Sequence, residues 1–175
     1  MRGWAVLIAI VLAAGCGNSR ATAPSPMTPA PAMTLAAGSY RLMVTMATTG
    51  DPVCTGPFCT SISLCSSING PVAVFAPTTA TLQRDGNTVL IRAEDAAATF
   101  HMNLQLADGM LSGTASGKYV TGGIEVVVDG GSPGTDAVVS GTVGRASVTG
   151  KLTGSIQIGG SGCSNNGHSW TLTPL

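Results

Sequence analysis

The strongest constraint on the fold is a long alternation of residue types between Ala146 and Ile158. One set of alternate positions holds apolar or small residues: Ala146, Val148, Gly150, Leu152, Gly154, Ile156 and Ile158. The positions between them hold Ser147, Thr149, Lys151, Thr153, Ser155 and Gln157. A period of two over this length excludes a helix, because successive side chains alternate between two faces only in a β-strand. The segments 40–46 and 99–106 alternate in the same way, so the chain is expected to be all-β.

Short turn-forming sequences separate the alternating segments. Asp85-Gly86-Asn87, Asp108-Gly109 and Asp129-Gly130-Gly131 have the residue types of hairpin turns that require positive φ. We place strands near residues 39–47, 72–75, 79–84, 88–94, 98–106, 110–119, 123–129, 136–144, 146–158 and 168–173.

Consecutive hairpins of this kind predict an antiparallel meander of about eight to ten strands. Such a meander closes most simply into an up-and-down barrel of the lipocalin or avidin type, because closure removes exposed sheet edges. A two-sheet β-sandwich is the alternative. Glycines at the inward positions 150 and 154 favour a strongly curved sheet and therefore the barrel. A transmembrane barrel is disfavoured, since aromatic residues are only 4% of the chain and such barrels carry aromatic girdles.

The N-terminal residues form a secretory signal. Arg2 precedes an apolar run from Trp4 to Ala14, and small residues lead to Cys16. The apolar run is too short for a membrane-spanning helix, which needs roughly 20 residues. The segment Leu12-Ala13-Ala14-Gly15-Cys16 resembles the lipobox of bacterial lipoproteins. The resemblance implies cleavage before Cys16 and lipidation of its thiol, with acyl chains that anchor the protein to a membrane.

Residues 16–33 comprise the lipidated cysteine and a spacer with four prolines, a composition typical of an extended, solvated linker. Gly17 follows the cysteine, where an Asp marks inner-membrane retention in Gram-negative lipoproteins, so the outer membrane of the cell envelope is expected. The predicted organisation is therefore a signal peptide at 1–15, the lipidated spacer at 16–33 and a single β domain at 34–175. Charged residues are 9% and the formal net charge is zero, which argues against a nucleic-acid partner.

Four further cysteines form an even set, which indicates disulfides in an oxidising compartment. They are Cys54, Cys59, Cys65 and Cys163, and three pairings are open. We favour Cys54 with Cys59, because the residues between them include turn formers, and Cys65 with Cys163. A metal site is the rival interpretation, but the spacing lacks the close CxxC pairs of zinc sites.

The mature region also resembles a group of small, uncharacterised lipoproteins of Gram-negative bacteria, with a lipobox, a Pro/Ser/Thr spacer and a Gly/Ser/Thr-rich β domain. The resemblance rests on the segments 38–45, 63–66 and 161–172, with Cys65 and Cys163 as its best-matched positions. It supports the long disulfide, whereas the Cys54–Cys59 pair is an addition to that pattern. The group implies architecture and location but no activity.

Residues suited to catalysis are few, and we expect no catalytic site, metal or cofactor. His101 is interpreted as a solvated strand residue and His168 as a turn residue. The segment from Asp129 to Asp136 is interpreted as a polar loop in preference to a calcium site, since it lacks EF-hand spacing. The G-x-S-x-G nucleophile motif works at a strand-to-helix turn, and no helix of useful length is expected after the signal.

The sequence therefore predicts a non-enzymatic envelope lipoprotein with a structural or interaction role, attached to the membrane through its N-terminal lipid. A protein partner would have Phe58, in the Cys54–Cys59 loop, as one contact point. The alternative is a lipocalin- or avidin-like carrier of a small apolar ligand. The interior distinguishes the two, because a carrier needs an open cavity of a few hundred Å³.

Overall fold

The computed structural model describes residues 33–47, 53–56, 65, 74–75, 79–132 and 134–175. Within these residues the protein is all-β, as predicted, and every strand belongs to one antiparallel sheet. The strands are β1 Gly38–Thr45, β2 Val53–Thr55, β3 Val74–Phe75, β4 Ala80–Asp85, β5 Thr88–Ala93, β6 His101–Ala107, β7 Met110–Thr121, β8 Ile124–Asp129, β9 Ala137–Val143, β10 Val148–Ile158 and β11 Ser161–Pro174.

The strand pairings return to their starting point. β1 pairs with β4, and pairing continues in order through β5, β6, β7, β9, β10 and β11. β11 then pairs with β1 over the register from Tyr40 opposite Pro174 to Thr45 opposite Ser169. The pairings therefore form a ring of eight strands in up-and-down order, which agrees with the meander predicted from consecutive hairpins.

The three remaining strands are β2, β3 and β8. Each of them shares one position of the ring with a second strand. β7 pairs with β9 through residues 110–115 and with β8 through residues 117–121, and both partners run antiparallel to it. β8 and β9 are thus two halves of one strand position, separated by an excursion at residues 130–136. In the same way, β1 and β2 pair with successive parts of one edge of β11, and β4 and β3 pair with successive parts of one edge of β1.

The two ends of the ring differ. At one end, which we call the base, β4–β5 and β6–β7 are joined by the two-residue turns 86–87 and 108–109, and β9–β10 by residues 144–147. Backbone hydrogen bonds from Leu106 N to Asn87 O (2.8 Å) and from Val143 N to Gly109 O (2.8 Å) join neighbouring base turns to strand ends. The opposite end, which we call the crown, holds the Gly122-Gly123 and Gly159-Gly160 turns, the 130–136 excursion and β2.

Buried side chains lie on one face of each ring strand, as the alternation requires. In β9 the burial pattern alternates strictly from Ala137 to Val143, and in β1 it alternates from Tyr40 to Val44. The largest fully buried side chains are Trp170, Tyr119, Phe100, Leu42, Leu82, Ile91, Met102, Leu104, Leu111, Leu152, Ile156 and Leu172. They come from seven of the eight ring strands and from the segment before β6, so the core sits inside the ring.

Trp170 explains why two inward positions are glycine. Its indole lies against Gly150 on the neighbouring strand β10 and against Gly141 on β9, the next strand beyond it, where an added Cβ would overlap the ring. The indole N–H donates to the carbonyl of Ser140 at 3.0 Å, so the only polar atom of this buried side chain is hydrogen-bonded. Gly150 was expected to serve sheet curvature, and the structure adds the packing of an aromatic side chain.

Two local predictions were wrong. Asp129-Gly130-Gly131 does not form a hairpin turn, because β8 and β9 occupy the same strand position and do not pair with each other. The segment 164–169, expected as a turn that contains His168, belongs to β11, which begins at Ser161 rather than near residue 168. Asn166 and Gly167 there mark a β-bulge, since these two residues of β11 oppose the single residue Thr153 of β10.

Candidate functional site

Several predicted site residues lie outside the described residues. These are Cys16, Cys59 and Phe58, together with the signal peptide and most of the spacer. The lipidation of Cys16 therefore stays a prediction. Cys54 lies in β2 opposite Cys163 and is disulfide-bonded. The Cys54–Cys59 pairing itself stays a prediction, because Cys59 is not described.

The Cys65–Cys163 disulfide that we favoured from the sequence is present in the structure. Both cysteines are fully buried, and they are separated by 98 residues in sequence. Cys163 occupies an inward position of β11, opposite Ile156 of β10. The disulfide therefore fastens Cys65, from the long connection between β2 and β3, to the inner face of the crown.

His168 is the most unexpected of the candidate residues. It was predicted to be a turn residue, but it lies within β11, faces the core opposite Leu152 and is fully buried. Its Nδ1 accepts a hydrogen bond from the backbone N–H of Ala47 at 2.9 Å. Its Nε2 lies 3.1 Å from the carbonyl oxygen of Cys163 and must donate, because that oxygen only accepts. The ring is thus neutral, with its proton on Nε2.

The position of His168 follows from where β1 leaves the ring. Pairing between β1 and β11 ends at Thr45 opposite Ser169, and β2 resumes on the same side of β11 at Val53 opposite Ser164. The imidazole binds the N–H of Ala47, where a backbone carbonyl would otherwise be needed. Burial lowers the pKa of His168, while hydrogen bonds to the carbonyls of Cys163 and Gly154 oppose the shift. The arrangement is that of a structural side chain that fastens the chain just after β1 to β11, where the backbone pairing between those strands stops.

The period-two pattern could have revealed this burial. His168, Trp170 and Leu172 alternate with Ser169, Thr171 and Thr173, which places His168 on the face that holds the aromatic ring. The neighbouring Asn and Gly residues obscured that signal. Asn165 Oδ1 accepts the backbone N–H of Gly167 at 2.6 Å, a local bond that stabilises the bulge without reversing the chain.

His101 lies on the outer face of β6, in agreement with its prediction as a strand residue outside the core. Its Nδ1 is 3.1 Å from the carbonyl oxygen of Thr99. It stands directly opposite Arg92 of β5, and both line a surface depression of about 350 Å³ together with Asn103. The depression is a shallow, hydrogen-bonding patch on the outside of the ring.

The Asp129–Asp136 segment is held by bonds among its own residues. Asp129 accepts from the N–H of Gly131 at 2.7 Å and from the side-chain amide of Gln157 at 2.6 Å. The backbone N–H of Gly130 donates to the carbonyl of Thr135 at 2.8 Å, which closes the excursion at its neck. These contacts agree with the polar loop predicted from the sequence and use the Asp129 carboxylate for positioning the chain.

The sequence reasoning missed a role for Asp95 and Thr99 at the edge of β7. The N–H of Val120 donates to Asp95 Oδ2 at 3.2 Å, and the N–H of Lys118 donates to Thr99 Oγ1 at 3.1 Å. Side-chain oxygens thus satisfy N–H groups on the part of β7 that extends past His101, the first residue of β6.

The described part of the chain contains no group of three or more His, Cys, Asp or Glu residues placed to hold a metal ion. Nor does it contain a helix with the length and hydropathy needed to cross a bilayer. No family model, no curated protein and no solved structure matches this chain.

Proposed function

We propose that this chain is a lipoprotein of the Gram-negative outer membrane, anchored through lipid on Cys16, whose β domain has a non-catalytic structural or interaction role. The anchor is supported by the charged residue, apolar run and small residues before Cys16 and by the proline-rich spacer after it. An oxidising compartment is supported by the buried Cys65–Cys163 disulfide. In this proposal the eight-strand ring is a closed up-and-down barrel, which its continuous circuit of pairings favours.

The observation that carries the non-catalytic, non-carrier role is the occupied interior of the ring. A carrier of apolar molecules needs an open internal cavity of a few hundred Å³. Here Trp170, Phe100 and Tyr119 are at most 1% exposed, and aliphatic side chains from the other strands fill the space around them. Phe100 and Tyr119 pack edge to face with their ring centroids 5.4 Å apart. We therefore favour a solid module over a carrier.

The two histidines also favour a non-catalytic role. Both ring nitrogens of His168 are used by backbone groups, and the ring is buried away from solvent. His101 is on the outer face and bonds to a backbone carbonyl two residues away. A general base requires a ring nitrogen that reaches a substrate proton. His168 does not meet this condition, and the observed contact of His101 is local.

Metabolic labelling with radioactive palmitate tests the anchor. The wild-type chain should incorporate label and fractionate with the outer membrane, whereas the Cys16→Ala variant should do neither. The matched control is Ser19→Ala, which leaves the lipobox intact and should label like the wild type. Equal labelling of the wild type and Cys16→Ala would refute the anchor.

A second measurement tests the solid interior. Native mass spectrometry of the delipidated or unlipidated domain should give the mass of the polypeptide alone. Binding of an apolar probe such as a fatty acid in a one-to-one complex would replace the interaction role with the carrier role, without affecting the anchor.

A further inference from the structure

The N-terminal segment of the described domain lies across the base. The N–H of Met33 donates to the carbonyl of Gly144 in the β9–β10 connection at 2.8 Å. The carbonyl of Leu35 accepts from Arg84 Nη1, at the base end of β4, at 3.0 Å. β9–β10 and β4 are not neighbours in the ring, so the segment spans the open base from one side to the other.

This segment is packed into the domain as well as hydrogen-bonded to it. Leu35 is only 2% exposed and belongs to the core, and the half-buried Met33 packs against the same core. The hydroxyl of Tyr40 donates to the carbonyl of Ala36 at 2.7 Å. Residues 33–37 therefore close the base, and the chain that leads back towards Cys16 leaves the domain from that end.

The length of the spacer determines how strongly its attachment at the base restricts the orientation of the domain. Residues 17–32 precede the packed segment, and a proline-rich, extended chain of this length reaches up to about 50 Å at roughly 3.1 Å per residue. β7 has 12 residues, which corresponds to a height of about 30 Å at the usual strand rise and barrel tilt. A crown-down arrangement would need the spacer to turn back at the base and run along the whole height of the domain, which is unfavourable for a stiff, proline-rich segment that leaves from the base.

We propose that the domain stands with its base towards the membrane and its crown directed away from it. This rests on the proposed anchor at Cys16. The crown, with the buried disulfide, the excursion between β8 and β9 and the two Gly-Gly turns, is then the end farthest from the lipid surface. The tight turns of the base face the lipid surface.

The orientation is tested by energy transfer from the protein to a labelled bilayer. Full-length lipidated protein is reconstituted into vesicles that contain a fluorescent acceptor lipid. A donor dye is attached by click chemistry to Met110→azidophenylalanine at the base or Ile124→azidophenylalanine at the crown. These two positions are matched, since both are large apolar side chains, 63% and 46% exposed, near opposite ends of the β7–β8 hairpin.

The base label should transfer energy about twofold more efficiently than the crown label, because about 30 Å of strand height separates them. Equal transfer, or stronger transfer from the crown, would overturn the orientation. Doubling the spacer with a Gly/Ser insertion after Ala32 should reduce the difference, and a difference that persists unchanged would overturn the tether as its cause.

The same samples separate this proposal from the anchor itself. A chain that fails to float with the vesicles, or a Cys16→Ser variant that floats equally well, would refute the anchor. A chain that floats only with Cys16 intact, but gives equal transfer from both labels, would refute the orientation alone.

Discussion

The base and the crown of this domain are built by different means. At the base, two-residue turns and a 144–147 connection join strands whose inner faces carry apolar side chains around Trp170, and residues 33–37 close the end. At the crown, strand positions are interrupted, and the inner face includes a disulfide and the buried polar residues His168, Ser161 and Asn165. Alternating strands with tight turns pack mainly by hydrophobic burial. Where long connections leave the ring, specific bonds must hold the chain.

Loss of the Cys65–Cys163 disulfide should have the largest effect and should act on the crown. A closed loop of this length stabilises by about 4–5 kcal/mol in the chain-entropy model. The paired Cys65→Ala and Cys163→Ala substitutions should lower the free energy of unfolding by up to that amount, as measured by urea denaturation. Hydrogen exchange should accelerate more at β2 and β8 than at the base ends of β4 and β5, next to the 86–87 turn. Uniform acceleration would contradict the division into two ends.

Truncation of Trp170 should be nearly as costly and should act on the base. Trp170→Ala removes a fully buried indole and leaves a cavity over Gly141 and Gly150, so we expect a loss of about 3–5 kcal/mol. Thr171→Ala, on the outer face of the same strand, is the control and should change the unfolding free energy by less than about 0.5 kcal/mol. A loss for Trp170→Ala no greater than that of the control would show that the indole is not a core element.

Loss of the Leu35 side chain should loosen the base alone. Leu35→Ala should cost about 2–3 kcal/mol, at the lower end for buried leucines, because the segment is terminal and collapses easily. Thr34→Ala is a matched control, since Thr34 is exposed next to it. Limited proteolysis should cut the Leu35→Ala chain between residues 33 and 40 sooner than the wild type. Unchanged protection would mean that the segment does not depend on this side chain.

Acid should weaken the crown through His168. Its pKa is lowered in the folded protein by burial, so the unfolded chain takes up the proton first as the pH falls. Stability is therefore complete above the ordinary value of 6.5 and declines below it until the folded ring also titrates, by at most about 1.4 kcal/mol per pH unit. Protonation would also place a donor on Nδ1 against the N–H of Ala47.

Urea denaturation at several pH values measures this effect. The His168→Gln variant should lose the decline that begins near the ordinary histidine pKa, whereas His101→Gln should keep it. If the wild type and His168→Gln declined in parallel, the buried imidazole would not be the group responsible.

Much of the sheet was predictable because its information is local. The alternation from Ala146 to Ile158 predicted β10 and most of its inner face, but Ala146 is exposed in the β9–β10 connection and Ser155, expected outside, is buried. Asp85-Gly86-Asn87 and Asp108-Gly109 predicted two hairpins that form. The bulge before His168 and the interruption between β8 and β9 were missed, since Asn, Gly and Ser have the same local signature in a turn, a bulge or an excursion. Cys65 with Cys163 was selected from three pairings by loop closure and by the resemblance.

By itself, the sequence determined that the domain is an antiparallel all-β structure, identified most of the apolar residues that face its core, and showed that its N-terminus has the pattern of a lipid anchor. The alternation of residue types, the turn-forming sequences and a cleavage motif are short-range properties, so they can be recognised in the sequence. Only the tertiary structure decided that the interior is occupied by Trp170, Tyr119 and Phe100, that His168 joins β1 to β11, and that residues 33–37 close the base. These depend on contacts between residues far apart in the chain, and such contacts exist only after the strands have met in register.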